Sequence, residues 1–178
     1  TFANGAIADF DLLAYVPPHR APQVVREAGL CGEGGWVPVD RGTMTTKSAG
    51  VFAIGDVSGV MLTSIGKPLP KAAVFAHHEA EVVAHNIVRA ITGRGAEQRF
   101  TGDGECFLET GDGRAAFGGG NFYADPAPQI RLKQPSVLLH LGKVAYEKFW
   151  LQRWWWKAQR VMRFSGASEP CALRKTMW

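Results

Sequence analysis

The sequence Gly50-Val-Phe-Ala-Ile-Gly-Asp56 decides the fold class. Its apolar run, residues 51–54, is short and is closed by Gly55, which predicts a fully buried strand of a parallel sheet. Such a strand leaves Asp56 at the carboxyl edge of the sheet, where α/β folds bind ligands. A glycine lets a ligand approach the backbone, and a carboxylate accepts hydrogen bonds from ribityl or ribose hydroxyls. A strand followed by an Asx-turn accounts for the same residues without any ligand.

A helix is predicted after the loop that follows this motif. Residues 71–91 place apolar side chains at helical spacing, with Pro70 suited to the first position and Gly93 to the C-terminal cap. The face expected to be buried consists of Ala76, Ala80, Val83, Ala84, Ile87 and Ile91. The N-terminus of a helix carries partial positive charge and free N–H groups. Pointed at the N1–C2=O edge of a flavin, it would stabilise the anionic reduced form.

Shorter elements are predicted on both sides. Before the motif these are a buried strand at residues 12–16, a short helix within residues 22–30 that Gly29 stops, and an edge strand at residues 36–40. After the helix, a small antiparallel sheet is expected from three short strands, residues 105–109, 115–117 and 121–123, ending at residues 125–128. Gly118-Gly119-Gly120 leads into no helix, so it is predicted to be a turn and not a phosphate-binding loop.

Charge divides the 178 residues unevenly. Residues 1–125 hold 10 Lys/Arg and 14 Asp/Glu, whereas residues 126–178 hold 10 Lys/Arg and only 2 Glu. Ser136 is a plausible N-cap for a long helix to about Phe164, with a break near the tryptophans, in which Lys/Arg alternate with Trp and Phe. This pattern fits an interfacial membrane helix or a single-stranded nucleic-acid platform. Trp favours the membrane headgroup region, although a helix packed at an interface remains an alternative.

Cysteine and histidine carry few further signals. Cys31, Cys106 and Cys171 are too few and too scattered for a disulfide framework or a zinc ribbon, and they fit a reducing cytoplasm. His77, Glu81 and His85 recur every four residues, but no further ligand converges on them in sequence. We therefore expect a solvated polar face there and no metal site.

Longer stretches resemble a known family. GWVPVDRGTMTTKSAGVFAIGDV (residues 35–57) is similar to the late FAD-binding segment of the pyridine nucleotide–disulfide oxidoreductases. KPLPKAAVFAHHEAEVVAHNI (residues 67–87) resembles sulfide:quinone oxidoreductases, flavocytochrome c sulfide dehydrogenase and type II NADH dehydrogenases. GECFLETGDG, NFYADPAP and the basic aromatic tail are most similar to sulfide:quinone oxidoreductase-like proteins. The resemblance covers about residues 6–160.

The resemblance implies a fold and its division into domains. The fold is α/β: a partial FAD/NAD(P)-binding fold of the two-dinucleotide-binding-domain flavoproteins, with a small antiparallel sheet and C-terminal amphipathic helices. Residues 1–46 are expected to form the end of an NAD-type domain with a return strand, and residues 47–98 the C-terminal segment of an FAD-binding domain. Residues 99–135 are expected to form a small sheet region, and residues 136–178 a basic aromatic tail of amphipathic helices.

The resemblance also implies site residues and partners. Asp56 would bind the ribityl chain of FAD beside Gly55 and Val57, and the flavin's pyrimidine edge would lie against Lys71, Ala72 and Ala73. Cys106 matches a redox cysteine that works beside the flavin with a partner cysteine, although a buried strand cysteine is the structural alternative. The glycine-rich phosphate motif and that partner cysteine are not found here, so we expect the chain alone to be inactive.

The expected function is therefore that of a fragment of a flavin oxidoreductase that passes electrons from sulfide to a quinone. The alternatives are a type II NADH:quinone dehydrogenase-like fragment, with NADH as the donor, and a non-catalytic membrane-docking module. The expected location is the inner face of the cell membrane, on the cytoplasmic side, with residues 136–164 on the lipid surface. No nucleic-acid partner is expected, and a homo-oligomer is left open.

Overall fold

A computed structural model of the chain describes residues 1–165, with side chains described as far as Lys157. The part of the tail prediction beyond residue 165, Cys171 included, lies outside the described residues. The described chain forms two compact units, one of Thr1–Met61 with Pro68–Phe100, the other of Leu62–Lys67 with the residues from Thr101 onward. The elements in chain order are α1 Gln23–Glu27, a 3₁₀ turn Gly55–Val57, β1 Met61–Leu62, β2 Lys67–Pro68, α2 Ala73–Thr92, β3 Asp103–Gly111, β4 Arg114–Asn121, β5 Gln129–Ser136 and α3 Val137–Ser165.

Helix α2 organises the first unit. It begins at Ala73, so the expectation that Pro70 occupies its first position is wrong: Ala72 is the N-cap, in extended conformation. It ends as predicted at Gly93, whose φ of 68° closes the helix with an N–H···O bond to Arg89. Its buried face also differs from the prediction, because Ile91 is 79% exposed. The buried side chains of α2 are Phe75, Glu79, Val82 and Val83.

Residues before α2 form turns and isolated bridges where strands were predicted. Residues 12–16 form no strand and are exposed, with Leu12 at 87%, so the buried strand predicted there is wrong. Residues 36–40 contribute one parallel bridge, Val37 with Ser58, and Phe52 forms one antiparallel bridge with Thr45. The predicted buried strand at residues 51–54 is therefore also wrong, since Val51 is 37% exposed. A parallel strand needs parallel neighbours, and the described residues supply none beside Phe52.

The second unit contains the small antiparallel sheet, in the order β3-β4-β5. The antiparallel sheet is confirmed, but its third strand is Gln129–Ser136 and not residues 121–123. The glycine triplet is not a turn: it is the end of the central strand β4. A Cβ on Gly119 would stand 2.6 Å from the Cβ of Glu105, and one on Gly120 would stand 1.9 Å from the carbonyl oxygen of Gln129. Glycine is needed at these positions because the flanking backbones approach closely.

Helix α3 packs on this sheet through a row of rings. Ser136 caps it as predicted, accepting the Leu139 N–H at 3.2 Å, and the helix then runs to Ser165 without the expected break. The rings of Phe117, Phe107, Tyr146, Trp150 and Trp154 follow one another with centroids 4.9, 6.2, 5.8 and 5.9 Å apart. Beyond this row the side chains that are described, residues 155–157, are exposed. Trp154 ends the ring row, and Trp154, Trp155 and Trp156 are 45–60% exposed.

Candidate functional site

The acidic turn, Gly55–Val57, is held in place from α2. Gly55 has a φ of 65°, which favours glycine, and its N–H donates to Oε2 of Glu79 at 2.6 Å. A Cβ on Gly55 would come within 3.2 Å of the Cβ of Ala76, so the turn lies directly against the helix. Asp56 follows in the 3₁₀ turn with its side chain exposed. The carboxylate of Asp56 is thus presented outward from a turn whose backbone is fixed.

Lys71 closes the turn from the other side. Its ammonium donates to the carbonyl oxygen of Asp56 and, at 3.4 Å, to that of Ser58. The same nitrogen lies 3.7 Å from the ring centroid of Trp36, a cation–π distance. Burial lowers the pKa of Lys71 from its usual 10.5, while the carboxylates of Asp56 and Glu79 oppose that fall. Lys71 therefore supplies a positive charge whose position is set by three contacts.

Glu79 is the buried member of the set, with 1% of its surface exposed. Burial raises the pKa of its carboxyl above 4.5, and the N–H of Gly55 and the charge of Lys71 counteract the rise. A buried carboxyl that faces a cavity and has a perturbed pKa is typical of functional sites, although structural networks produce such shifts too.

The N-terminus of α2 opens beside the turn. Its N-cap, Ala72, has no side chain that could accept the first N–H groups of the helix, and no capping hydrogen bond is formed. The first helical amides carry the positive end of the helix dipole. The N-cap borders a cavity of about 270 Å³ whose lining includes Trp36, Gly55, Asp56, Lys71, Ala72 and Glu79. The cavity thus combines an exposed carboxylate, an ammonium and a helix N-terminus, which suits a ligand with both hydroxyl groups and a negatively charged edge.

The structure brings most of the predicted cofactor residues together. Gly55, Asp56, Lys71 and Ala72 line the cavity, while Val57 and Ala73 are their direct chain neighbours in the turn and the helix. Sequence reasoning missed Trp36, Ser58 and Glu79, which line the same cavity. Glu79 was detectable in part, because it lies four residues after Phe75 and three before Val82. An acid at that spacing is on the buried face and needs a partner.

Cys106, the predicted catalytic residue, lies in the second unit. It occupies β3 opposite Gly118 of β4, and it is exposed, so the structure does not support the alternative of a buried strand cysteine. No group of three metal-ligating side chains occurs among residues with described positions. His77 pairs with Glu81 at 3.4 Å, and His85 contacts the carbonyl oxygen of Ala96 at 3.0 Å, so these side chains make local contacts on the helix surface.

The exposed part of α3 forms a second surface. A shallow cavity of about 370 Å³ is lined by Phe149, Gln152, Arg153, Trp156 and Lys157, so two cations border aromatic rings. Lys157 lies 5.3 Å from the ring centroid of Trp154. Among the helices described, none is both long and apolar enough to pass through a bilayer.

Comparison with known proteins relates the chain to one kind of enzyme. The chain is 34% identical over 106 residues to the mitochondrial sulfide:quinone oxidoreductase of Schizosaccharomyces pombe, covering 59% of this chain and 22% of the relative. It is 24% identical over 140 residues to the mitochondrial sulfide:quinone oxidoreductase of Mus musculus, covering 77% of this chain and 30% of the relative. Over these stretches the chain is similar to sulfide:quinone oxidoreductases. No protein-family profile matches it.

The structural comparison agrees with the sequence comparison. The solved sulfide:quinone oxidoreductase from the hyperthermophilic bacterium Aquifex aeolicus superposes with a TM-score of 0.63 at 25% identity, covering 75% of this chain and 32% of that structure. The predicted resemblance and the fold class, a partial flavoprotein fold with a small antiparallel sheet, are thereby confirmed. The chain spans between about a fifth and a third of the length of the relatives it matches. The division into four parts made from the sequence stays a prediction.

Proposed function

We propose that this chain supplies one wall of the FAD site of an enzyme that oxidises sulfide and reduces a quinone. The observation that carries the proposal is the acidic turn, in which Lys71 holds the backbone of exposed Asp56 and both residues line one cavity with Ala72, the N-cap of α2. The names of the relatives supply the substrates, sulfide and quinone. The activity proposed belongs to the intact protein, since the chain corresponds to only part of those relatives.

The residues around the cavity fit a flavin by their chemistry. A carboxylate accepts hydrogen bonds from the ribityl hydroxyls, which assigns that contact to Asp56, with Gly55 and Val57 beside it. Lys71 and the first amides of α2, at Ala72 and Ala73, are donors suited to the flavin's pyrimidine edge. Their positive charge would stabilise negative charge at that edge. FAD, when bound, would supply two-electron chemistry that none of these side chains supplies.

Cys106 is proposed to receive the sulfur. Net oxidation of hydrogen sulfide by a quinone gives zero-valent sulfur and the quinol, with two electrons and two protons passing to the quinone. A thiolate is the nucleophilic form of cysteine, and an accessible one can hold zero-valent sulfur as a persulfide. The exposure of Cys106 on β3 supports access by a small sulfur species. A partner cysteine would be needed to pass the sulfur on.

Asp56→Asn in the intact protein tests the flavin assignment. Replacing an ionised acceptor with an amide removes charge-assisted hydrogen bonds, so we expect FAD to bind about ten- to a hundredfold more weakly. The measurement is the FAD dissociation constant from flavin fluorescence, with Asp11→Asn, an exposed aspartate of the first unit, as the matched control. FAD affinity equal to that of the control would refute the assignment.

Cys106→Ser tests the electron donor. We expect the variant to keep its FAD and to lose sulfide-dependent quinone reduction, because serine cannot take up sulfur. Unchanged sulfide turnover would remove Cys106 from the mechanism. Quinone reduction driven by NADH, and unaffected by the substitution, would instead assign the type II NADH:quinone dehydrogenase alternative.

The exposed surface of α3 is proposed to rest on a membrane. Aromatic rings beside Arg153 and Lys157 are the composition of an interfacial helix, whose rings enter the headgroup region while the cations meet anionic lipids. This surface would place the enzyme at the cytoplasmic face of the membrane, near a lipid-soluble quinone. A protein that docks on membranes but neither binds FAD nor reduces a quinone in the two preceding tests would be the non-catalytic docking module.

A further inference from the structure

A single carboxylate on α2 is withdrawn from solvent and committed to the backbone of the acidic turn. Glu79 is 1% exposed and lies on the same helix face as Phe75 and Val82. Burial of a carboxyl in such surroundings is costly unless it is hydrogen-bonded. An apolar residue at this position would avoid the free-energy cost of burying a carboxyl, so the hydrogen bond that Glu79 makes is the feature that explains its presence.

The contact joins two elements that are distant in sequence. Oε2 of Glu79 accepts the N–H of Gly55, 24 positions earlier, at 2.6 Å. Gly55 is the residue immediately before Asp56, and its φ of 65° sets the direction in which the turn leaves the chain. Glycine alone does not hold that angle, because it populates positive and negative φ about equally. An external acceptor that engages the N–H selects one of these conformations.

We propose that Glu79 is a positioning residue, which fixes Gly55 and thereby aims the carboxylate of Asp56 into the cavity. The inference rests on the proposed flavin site. Glu79 lines the same cavity as Asp56 and Lys71, so the turn and its support belong to one site. The role of Glu79 depends on whether a side-chain oxygen reaches the N–H of Gly55, and the negative charge of the carboxylate contributes less to this role.

Two conservative variants of the intact protein separate reach from charge. Glu79→Gln keeps an acceptor oxygen at the same distance and removes the charge, so FAD should bind within about threefold of wild type. Glu79→Asp keeps the charge but is one methylene shorter, so it loses the Gly55 N–H, and FAD should bind about tenfold more weakly. Glu81→Gln and Glu81→Asp, on the exposed side of the same helix, are the matched controls. Each variant is first shown to be folded by circular dichroism, and its FAD dissociation constant is then measured.

The order of the two affinities decides the matter. The Asp variant binding FAD as tightly as wild type, or the Gln variant binding it more weakly than the Asp variant, overturns the positioning role. If the Asp variant does not fold, a folded Gln variant that loses tenfold or more in affinity overturns it as well. Asp56→Asn separates this failure from failure of the flavin site: a loss of FAD in that variant, with Glu79 variants unchanged, removes the positioning role alone.

Discussion

Gly55→Ala tests the packing of the acidic turn against α2. An L-residue in the left-handed region costs about 1–2 kcal/mol, and the reduced freedom of the unfolded chain returns about 0.4–1 kcal/mol of that. The added methyl group would also stand 3.2 Å from the Cβ of Ala76, closer than ordinary contact. Crowding of this kind adds about 1 kcal/mol. We therefore expect the free energy of unfolding to fall by about 1–2.5 kcal/mol in total.

Gly50→Ala isolates the contribution of the crowding. Gly50 has a φ of 74°, close to that of Gly55, but a Cβ there would meet no atom within 4 Å. Its substitution should cost only the backbone part, about 0–1.5 kcal/mol and about 1 kcal/mol less than Gly55→Ala. Urea unfolding of both variants gives the difference, and thermal melts should separate them by about 2–4 °C for a chain of this size. Equal destabilisation of the two variants would show that the turn does not lie against Ala76.

Other predictions concern charges and the exposed helix. Because burial raises the pKa of Glu79 above 4.5, the folded state holds that proton more tightly, and the carboxyl's contribution to stability falls as pH rises above 4.5. In urea unfolding, Glu79→Gln should therefore lose less stability than wild type as pH rises. A variant whose stability declines with pH in parallel with that of wild type would contradict the prediction. The pKa of Asp40 is lowered, first by the N–H of Thr43, so its contribution is present above 3.8 and is lost as pH falls below that value. Asp40→Asn should therefore cost about 1 kcal/mol at neutral pH and nothing in acid, in the same urea unfolding measurements. Trp154→Ala with Trp156→Ala should abolish flotation of the protein with anionic liposomes, and wild-type protein that never floats at any salt concentration would refute membrane docking.

Elements with local signals were predictable from the sequence. Gly93 ends α2 because a glycine adopts the left-handed cap without steric cost, and Ser136 caps α3 because its hydroxyl reaches the N–H of Leu139. Elements that depend on distant partners were not. The apolar runs at residues 12–16 and 51–54 have the composition of buried strands, but a strand forms only where neighbouring strands pair with it. The described residues offer no such neighbours, and hydropathy alone does not report their absence.

Prediction of the candidate site shows the same division between local and distant causes. Asp56 was identifiable because an apolar run followed by Gly-Asp is a contiguous pattern, and Lys71 followed from the resemblance. Glu79 was not identified, because its importance lies in a hydrogen bond across 24 residues. Helical spacing places Glu79 on the buried face, yet spacing names no partner. The partner is a backbone N–H, which every residue except proline possesses, so no side-chain pattern could single out Gly55 as the donor.

The two carboxylates of the site have opposite environments, and this difference assigns their roles. Asp56 is exposed and lines the cavity, and the turn is fixed through the N–H of Gly55 and the carbonyl of Asp56, which leaves the carboxylate of Asp56 outside these contacts. Glu79 is buried, and one of its oxygens is already engaged by Gly55. Lys71 faces both carboxylates and offsets their charge, which is why they can share one small cavity. In the proposed flavin site, the exposed acid would bind the cofactor, and the buried acid would hold the turn in the conformation that presents it.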